Sequence, residues 1–101
     1  MDLPRELVLA VIDVESGFAR YAVSVDGSLG LMQIEPFWLE EIGRPYDNLL
    51  EIGTNLRYGC TILRYYYDKE GGDIRRALGR YDGTLGKRAY PNRVIDVLSR
   101  K

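Results

Sequence analysis

The chain has 101 residues, of which 46% are hydrophobic and 29% charged, and its formal net charge is -1 at pH 7. This length allows one hydrophobic core, so we expect a single domain over residues 1–101. No apolar run approaches the roughly 20 residues that span a bilayer, which argues against a membrane span. Residues 1–6 lack the basic region of a signal peptide, so the protein is either cytosolic or its export signal is absent from this chain.

The chain contains no histidine and a single cysteine. The lack of imidazole excludes Ser-His and Cys-His nucleophile pairs, so carboxylates and tyrosines must carry any acid–base chemistry. Cys60 has apolar residues around it at helical spacing, and we interpret it as a core residue rather than a reactive thiol. No phosphate loop, dinucleotide fingerprint or calcium-loop spacing occurs, so we expect neither a metal nor another cofactor.

The first predicted helix runs from Pro4 to about Ser16, and its apolar stripe is interrupted by an acid. Apolar residues occupy positions 7, 8, 11 and 12, and the next position of that stripe is Glu15. Its carboxyl should therefore point inward, at a helix end that Gly17 can terminate. Partial burial and the negative end of the helix dipole predict a raised pKa, as a general acid at neutral pH requires. A salt-bridged glutamate at a helix end is the alternative.

Residues 17–43 predict a loop followed by a short helix. Glycines punctuate the polar stretch 17–30, which indicates an irregular segment or a short hairpin with a functional role. An apolar run at 31–34 follows. Pro36 then favours a short second helix, which Gly43 ends.

The remaining residues predict three further helices and hence a mainly α fold. Asp47 is the expected cap of the longest helix, over about 48–70, which we place at the centre of the core. Asp73 should cap the next helix, to about Tyr81. Pro91 should open the last one, to about Ser99.

Charge is distributed unevenly along the chain. Residues 1–70 carry 12 acidic and 6 basic side chains (6 - 12 = -6), whereas residues 71–101 carry 3 acidic and 8 basic side chains (8 - 3 = +5). A solvated basic face is the favoured interpretation of the second segment. The acidic residues among the basic ones argue against a nucleic-acid site. Contact with an acidic polymer such as a cell wall is the third interpretation.

Three short motifs follow one another along the chain. They are Glu-Ser-Gly-Phe at 15–18, Gly-Leu-Met-Gln-Ile at 30–34 and Ala-Leu-Gly-Arg-Tyr-Asp-Gly at 77–83. In order and spacing they resemble the three signatures of soluble lytic transglycosylase catalytic domains, from the first helix to the region around Tyr90. The resemblance implies a small lysozyme-like domain that cleaves peptidoglycan between N-acetylmuramic acid and N-acetylglucosamine. Peptidoglycan strands would be its partner and the periplasm or cell wall its location, and we expect a monomer.

The resemblance places the catalytic acid of the family on Glu15. In the mechanism that it implies, Glu15 protonates the glycosidic oxygen, and the N-acetyl group of the sugar stabilises the oxocarbenium-like centre. Glu15 then deprotonates the C6 hydroxyl, which closes onto C1 to give a 1,6-anhydro sugar. Such substrate assistance explains how one carboxylate can suffice. Asp26, in the loop, is the candidate base if water attacks instead.

The first two motifs supply further candidate substrate-binding residues. Ser16 would bond a substrate group or only cap the helix end. Ser24 matches a loop serine that orients the C6 hydroxyl or a water in relatives, or it is a plain turn residue. Gln33 offers a donor and an acceptor for an N-acetyl amide. Met32 would contact a sugar face, although core packing is the stronger alternative.

Tyrosines and one acid complete the predicted site. The phenol of Tyr81 is expected to hold the acetamido group or Glu15 itself, and Tyr90 resembles the tyrosine that closes the groove of the family. The three consecutive tyrosines at 65–67 are interpreted as core and surface residues of the long helix, with stacking on sugar rings as an alternative. Many relatives carry Asn where this chain has Asp82. A carboxylate there would raise the pKa of Glu15 further by like-charge repulsion.

Three functions remain open at this point. A lytic transglycosylase is favoured. A hydrolase of the goose-type lysozyme kind would use the same motifs with water as the attacking group. An inert glycan-binding or assembly domain is disfavoured because Glu15 is retained.

Overall fold

A computed structural model describes residues 3–100 of the chain. Strand pairing in this range is limited to isolated antiparallel bridges that join Val23 to Leu29 and Leu29 to Ile34. The mainly α prediction is confirmed, and the segment after the first helix is a short hairpin-like turn. The helices of the described range are α1 (Arg5–Ser16), α2 (Trp38–Ile42), α3 (Ile52–Lys69), α4 (Ile74–Asp82) and α5 (Ala89–Ser99).

Helix α1 begins and ends as its sequence predicts. Its apolar stripe buries Leu7, Ala10, Val11 and Ile12, which places the next position, Glu15, in the last turn against the interior. Residue 17 adopts a left-handed conformation with φ 59°, which glycine adopts without strain, and its N–H donates to a carbonyl of the last turn. Helix α1 therefore ends at Ser16, one residue after Glu15.

The start of α3 differs from the prediction. The helix begins at Ile52 rather than near residue 48, and its cap is Glu51, whose carboxylate accepts from the backbone N–H groups of the first turn. Asp47 does not cap it: its carboxylate accepts a hydrogen bond of 2.5 Å from the hydroxyl of Tyr58. The prediction that Asp47 caps α3 was wrong, because its carboxylate binds the Tyr58 side chain instead of the N–H groups at the start of the helix. Helix α3 ends at Lys69, close to the predicted end near residue 70, and the glycine pair at 71–72 follows shortly after.

The remaining helix boundaries are close to their predicted positions. Asp73 caps α4 by accepting from the N–H of Arg76 at 3.2 Å, which confirms that prediction. Helix α4 extends to Asp82, one residue past the expected end. Helix α5 begins at Ala89, so Pro91 lies within its first turn instead of opening it.

The helices pack in a chain of neighbours: α3 against α4, α4 against α5, and α5 against α1. Cys60 is half-buried and packs against the core, in agreement with its interpretation as a core residue. No helix within residues 3–100 is long and apolar enough to cross a membrane. The buried core consists of Leu7, Ala10, Val11, Ile12, Leu31, Met32, Ile34, Leu49, Tyr58, Ile62, Leu63, Leu78, Tyr90 and Val94.

A buried asparagine fixes the turn that follows α1. Asn55, on α3, is 1% exposed. Its amide oxygen accepts from the N–H of Met32 at 2.8 Å. Its amide nitrogen donates to the carbonyls of Leu29 at 2.8 Å and Leu49 at 2.7 Å. A Cβ at Gly30 would lie 2.3 Å from that nitrogen, so only glycine fits there. Residues 29–34 are thus held rigidly against α3.

Candidate active site

A polar pocket of about 370 Å³ lies where the end of α1, the following turn and the end of α4 meet. We call it the acidic pocket because four carboxylates line it. It brings together five of the eight predicted site residues from all three motif regions. Its lining consists of Glu15, Ser24, Asp26, Ser28, Gln33, Glu35, Tyr81 and Asp82.

Glu15 has the raised pKa that its position on the helical stripe predicts. Burial is the largest cause and raises the pKa of the carboxyl from 4.5 to about 7. The hydroxyl of Tyr90 lowers it, the charge of Asp82 raises it, and the charge of Arg93 lowers it. Near neutral pH the carboxyl is therefore divided between its protonated and ionised forms, as a group that first donates and then accepts a proton requires.

Tyr90 lies next to Glu15 and does not line the acidic pocket. Its side chain is 3% exposed, and its hydroxyl is buried without a direct hydrogen bond. It is nevertheless close enough to Glu15 to lower the pKa of that carboxyl. Burial and the charge of Glu15 raise the pKa of the phenol far above its usual value, so Tyr90 keeps its proton. A protonated phenol beside the carboxyl favours its ionised form.

Ser16 and Met32 are not brought to the acidic pocket. The hydroxyl of Ser16 donates to the carbonyl of Leu31 at 2.7 Å, which ties α1 to the turn. Met32 is 0% exposed and belongs to the core. Core packing, the alternative considered for Met32, describes its position. Neither side chain lines the acidic pocket, and a substrate contact by either one stays a prediction.

Tyr81 lines the acidic pocket, but its hydroxyl already has a protein partner. It donates to the carbonyl of Met32 at 2.7 Å. The hydroxyl hydrogen is therefore directed at the main chain and not at Glu15 or a ligand. Burial, with a smaller effect from the charge of Glu15, raises the pKa of Tyr81 well above its usual value, so this bond persists at neutral pH.

Gln33 offers a single acceptor to a ligand. Its amide nitrogen donates to the carbonyls of Gly30 at 2.9 Å and Ala22 at 3.2 Å, which uses both amide hydrogens. The remaining polar atom of the side chain is the oxygen Oε1. The backbone of Gln33 has φ 54°, an unusual value for a residue other than glycine. Such strain is common where a side chain is held for function.

Two serines and two acids of the turn region face the same space. The Oγ of Ser24 accepts from the N–H of Ser28 at 3.0 Å, which leaves the Ser24 hydroxyl hydrogen for a ligand. Asp26, considered from the sequence as a base, is present in the lining. Ser28 and Glu35 were missed, because neither belongs to one of the three motifs. Their one sequence signal is their place in the turn region that carries the middle motif.

Asp82 stands at the end of α4, on the exposed side of the acidic pocket. Its carboxylate accepts from the hydroxyl of Thr84 at 3.1 Å. Partial burial raises the pKa of Asp82, while the Thr84 bond and the charge of Arg93 lower it. The predicted coupling is present, since the charge of Asp82 raises the pKa of Glu15. This coupling is smaller than the effect of burial.

A larger cavity found among residues 3–100 offers a different lining. An aromatic cavity of about 470 Å³ between α2 and α3 contains Trp38, Tyr65 and Tyr66. Its acid, Glu41, is exposed on α2. Among residues 3–100, no group of three potential metal ligands is placed to hold a metal ion. The proton donor with the raised pKa therefore marks the acidic pocket as the candidate active site.

Comparisons with known proteins identify the family. A sequence model of the Transglycosylase SLT domain matches residues 1–93. The chain belongs to this family, which has a lysozyme-like fold.

Solved structures agree with this assignment. The 70 kDa soluble lytic transglycosylase from Escherichia coli is 26% identical, with a TM-score of 0.68 over 97% of this chain. A complex of the 70-kDa soluble lytic transglycosylase with bulgecin A has a TM-score of 0.72 over 96% of the chain, at 24% identity, and shows the fold alone. In both cases the chain covers 16% of the solved protein.

Proposed function

We propose that this chain is a peptidoglycan lytic transglycosylase that cleaves the β-1,4 bond between N-acetylmuramic acid and N-acetylglucosamine and leaves a 1,6-anhydro end. One observation carries the proposal: Glu15, in a pocket where the three motif regions meet, has a pKa raised to about 7. Membership of the family supports the type of reaction.

In the first step Glu15 acts as the general acid. Its carboxyl donates a proton to the glycosidic oxygen as the bond to C1 breaks. The N-acetyl carbonyl of the same sugar stabilises the positive charge that develops at C1. The oxygen Oε1 of Gln33 is available to accept from the N–H of that acetamido group and so to orient it.

In the second step Glu15 acts as the base. The carboxylate that the first step leaves removes the proton from the C6 hydroxyl, and the C6 oxygen closes onto C1. The protonated Tyr90 next to Glu15 stabilises the ionised form by donating to it. The hydroxyl of Ser24 is available to orient the C6 hydroxyl. Closure returns the proton to Glu15 and completes the cycle without an attacking water.

Hydrolysis on the same fold is the second candidate. The observation that favours it is the presence of Asp26, Glu35 and Asp82 in the pocket with Glu15, since each is an acid that can activate a water. The product separates the two reactions: hydrolysis leaves a reducing end.

Peptidoglycan strands are the proposed partner, and a compartment outside the cytoplasm that contains peptidoglycan is the proposed location. The resemblance to soluble lytic transglycosylases supports both. We also propose that residues 1–101 act as one catalytic domain and as a monomer.

The test is a digestion of purified peptidoglycan with the parent protein, with Glu15→Gln and with Asp13→Asn, followed by mass spectrometry of the released fragments. Asp13 is exposed on the same helix and provides a matched control. Anhydromuropeptides from the parent and the control, but not from Glu15→Gln, would support the proposal. Reducing ends would move the assignment to hydrolysis. No release by any protein, with the glycan still bound, would identify an inert binding domain.

A further inference from the structure

A second charged cavity lies apart from the acidic pocket, between the start of α4 and the start of α5. Its volume is about 160 Å³, and none of its lining residues belongs to the acidic pocket. We call it the basic cleft. Its cations are Arg75, Arg76, Lys87 and Arg88, and the apolar side chains beside them are Leu85 and Pro91.

Three of the four cations of the basic cleft are not neutralised by an acid. Arg76 forms an ion pair with Glu70 at 2.7 Å. Arg75 donates to the neutral amide oxygen of Asn92 at 2.5 Å. Within residues 3–100, neither Lys87 nor Arg88 forms an ion pair. The cleft therefore keeps a concentrated positive charge that the fold itself does not use.

The size and lining of the cleft restrict the ligand. Three arginines and a lysine that line one small cavity suit a phosphate group, to which arginine donates two parallel hydrogen bonds. The apolar wall beside the cations suits the CH and CH₂ groups of a short polyol. No aromatic side chain lines the cleft, although stacking on aromatic rings is the usual way to hold single-stranded nucleic acid.

We propose that the basic cleft binds the phosphodiester groups of an acidic polymer of phosphate-linked polyols. The distribution of charge along the chain is consistent with such a ligand, since residues 71–101 carry a net charge of 8 - 3 = +5 although the whole chain carries -1. The acidic pocket, by contrast, is lined by four carboxylates. A polyanion is attracted to the cleft and repelled from the pocket, so it can bind without blocking the pocket.

The experiment measures binding of a synthetic glycerol phosphate oligomer by titration calorimetry at several salt concentrations. The test variant is the double substitution Lys87→Gln with Arg88→Gln. The control is Arg5→Gln with Arg44→Gln, which removes the same charge from exposed residues outside the cleft. Circular dichroism verifies that all proteins are folded. Single-stranded DNA of equal charge and vesicles of phosphatidylglycerol are the competing ligands. The readout needs no glycan cleavage, so it is independent of the proposed function.

The proposal predicts binding that weakens with salt, and a loss of at least about tenfold in affinity in the test variant but not in the control. It also predicts a preference for the glycerol phosphate oligomer over DNA and vesicles. Three results would overturn it: no binding by the parent, equal losses in the two double variants, or tighter binding of DNA or vesicles than of the oligomer.

Discussion

Glu15 is an acid whose environment, rather than a charged partner, sets its protonation. Within residues 3–100, the one opposite charge that affects its pKa is that of Arg93, and this effect ranks behind those of burial, Tyr90 and Asp82. The salt-bridged alternative considered from the sequence is therefore not what the structure shows. A carboxyl that is buried without a strong ion pair costs stability whenever it is ionised. This cost gives a test of the site that does not need a substrate.

Glu15→Gln should stabilise the protein at pH 8 and leave its stability unchanged at pH 4. The pKa of Glu15 rises from 4.5 to about 7 on folding, so the folded state holds a proton more tightly than the unfolded state. Below pH 4.5 both states are protonated and burial carries no ionic cost. Stability is then lost as the pH rises through 7. We expect a gain of about 1–3 kcal/mol at pH 8 from urea denaturation.

Asp13→Asn is the control for that measurement, because Asp13 is exposed on the same helix. Its effect should be small and should not grow between pH 4 and pH 8. A Glu15→Gln variant as stable as the parent at pH 8 would show that the carboxyl is not buried at a cost.

Asp82→Asn should move the alkaline limb of the pH profile of kcat/KM to lower pH. Asp82 raises the pKa of Glu15, and the general acid must be protonated in the free enzyme. Removing this charge therefore makes Glu15 lose its proton at a lower pH. The limb should move by less than the full rise of the Glu15 pKa from 4.5 to about 7, since burial still raises that pKa in the variant. Steady-state rates on a soluble peptidoglycan fragment between pH 5 and 9 provide the measurement.

Asp26→Asn tests whether this effect is specific. Asp26 lines the same pocket, but it is not among the causes of the Glu15 shift. Whatever its effect on the rate, substitution of Asp26 should leave the alkaline limb at the same pH. Equal movement of the limb in both variants would assign the effect to the general charge of the pocket rather than to Asp82.

At the scale of elements, the site depends on how the turn at 29–34 rests on α3. Met32 packs its sulfur directly over Gly59, where a Cβ would lie 2.2 Å from that atom. Tyr81 of α4 holds the same turn through the carbonyl of Met32. Gln33 follows Met32, so any displacement of this methionine moves the acceptor that we propose for the acetamido group.

Gly59→Ala should destabilise the protein by about 1–3 kcal/mol and lower kcat/KM. The added methyl group overlaps a buried side chain that has no free space to enter. Urea denaturation and the peptidoglycan assay together provide the measurement. Full activity and stability would show that the turn can shift without consequence for the site.

Gly53→Ala is the matched control in the same helix. A Cβ there would make only ordinary contacts of 3.5 Å or more with Glu51. Because alanine favours the helix more than glycine, this variant should gain about 0.5–1 kcal/mol and keep its activity.

The structural features that the sequence predicts correctly depend on local signals. The stripe that ends in Glu15, the glycine at position 17 and the cap of α4 are each readable within a few residues. Asp47 has an equally good local signal for a helix cap, but its carboxylate binds the hydroxyl of Tyr58, 11 residues further along the chain. Helix α3 therefore begins later than predicted.

The same reason explains why two predicted site residues, Ser16 and Met32, do not line the acidic pocket. Both residues belong to the motifs. The hydroxyl of Ser16, however, donates to the carbonyl of Leu31, and the side chain of Met32 is buried in the core. Whether a motif residue faces the pocket or the core depends on how the turn packs on α3. Asn55, which fixes that packing, carried no recognisable signal in the sequence.

At the scale of the whole molecule, the family match and the hydrophobic core do not end at the same residue. The match covers residues 1–93. Val94 follows directly and is 0% exposed, and Ile95, Val97 and Leu98 pack against the core. Helix α5 packs against both α1 and α4, the two helices that carry Glu15 and Asp82. The last turns of α5 should therefore be needed to keep the two sides of the pocket together.

Truncation after residue 93 should remove most of the stability and all of the activity, although it keeps every motif. Full burial of one Val, Leu or Ile side chain contributes roughly 1.5–3 kcal/mol to the free energy of unfolding. This deletion removes one fully buried residue of this kind and three partly buried ones. The total free energy of unfolding of a domain is only about 5–15 kcal/mol. A chain ending at residue 99 loses only Arg100 and Lys101 and serves as the control. Thermal unfolding and peptidoglycan digestion should show the long chain folded and active and the short chain neither. A folded, active short chain would mean that the core of the catalytic domain closes without the second half of α5.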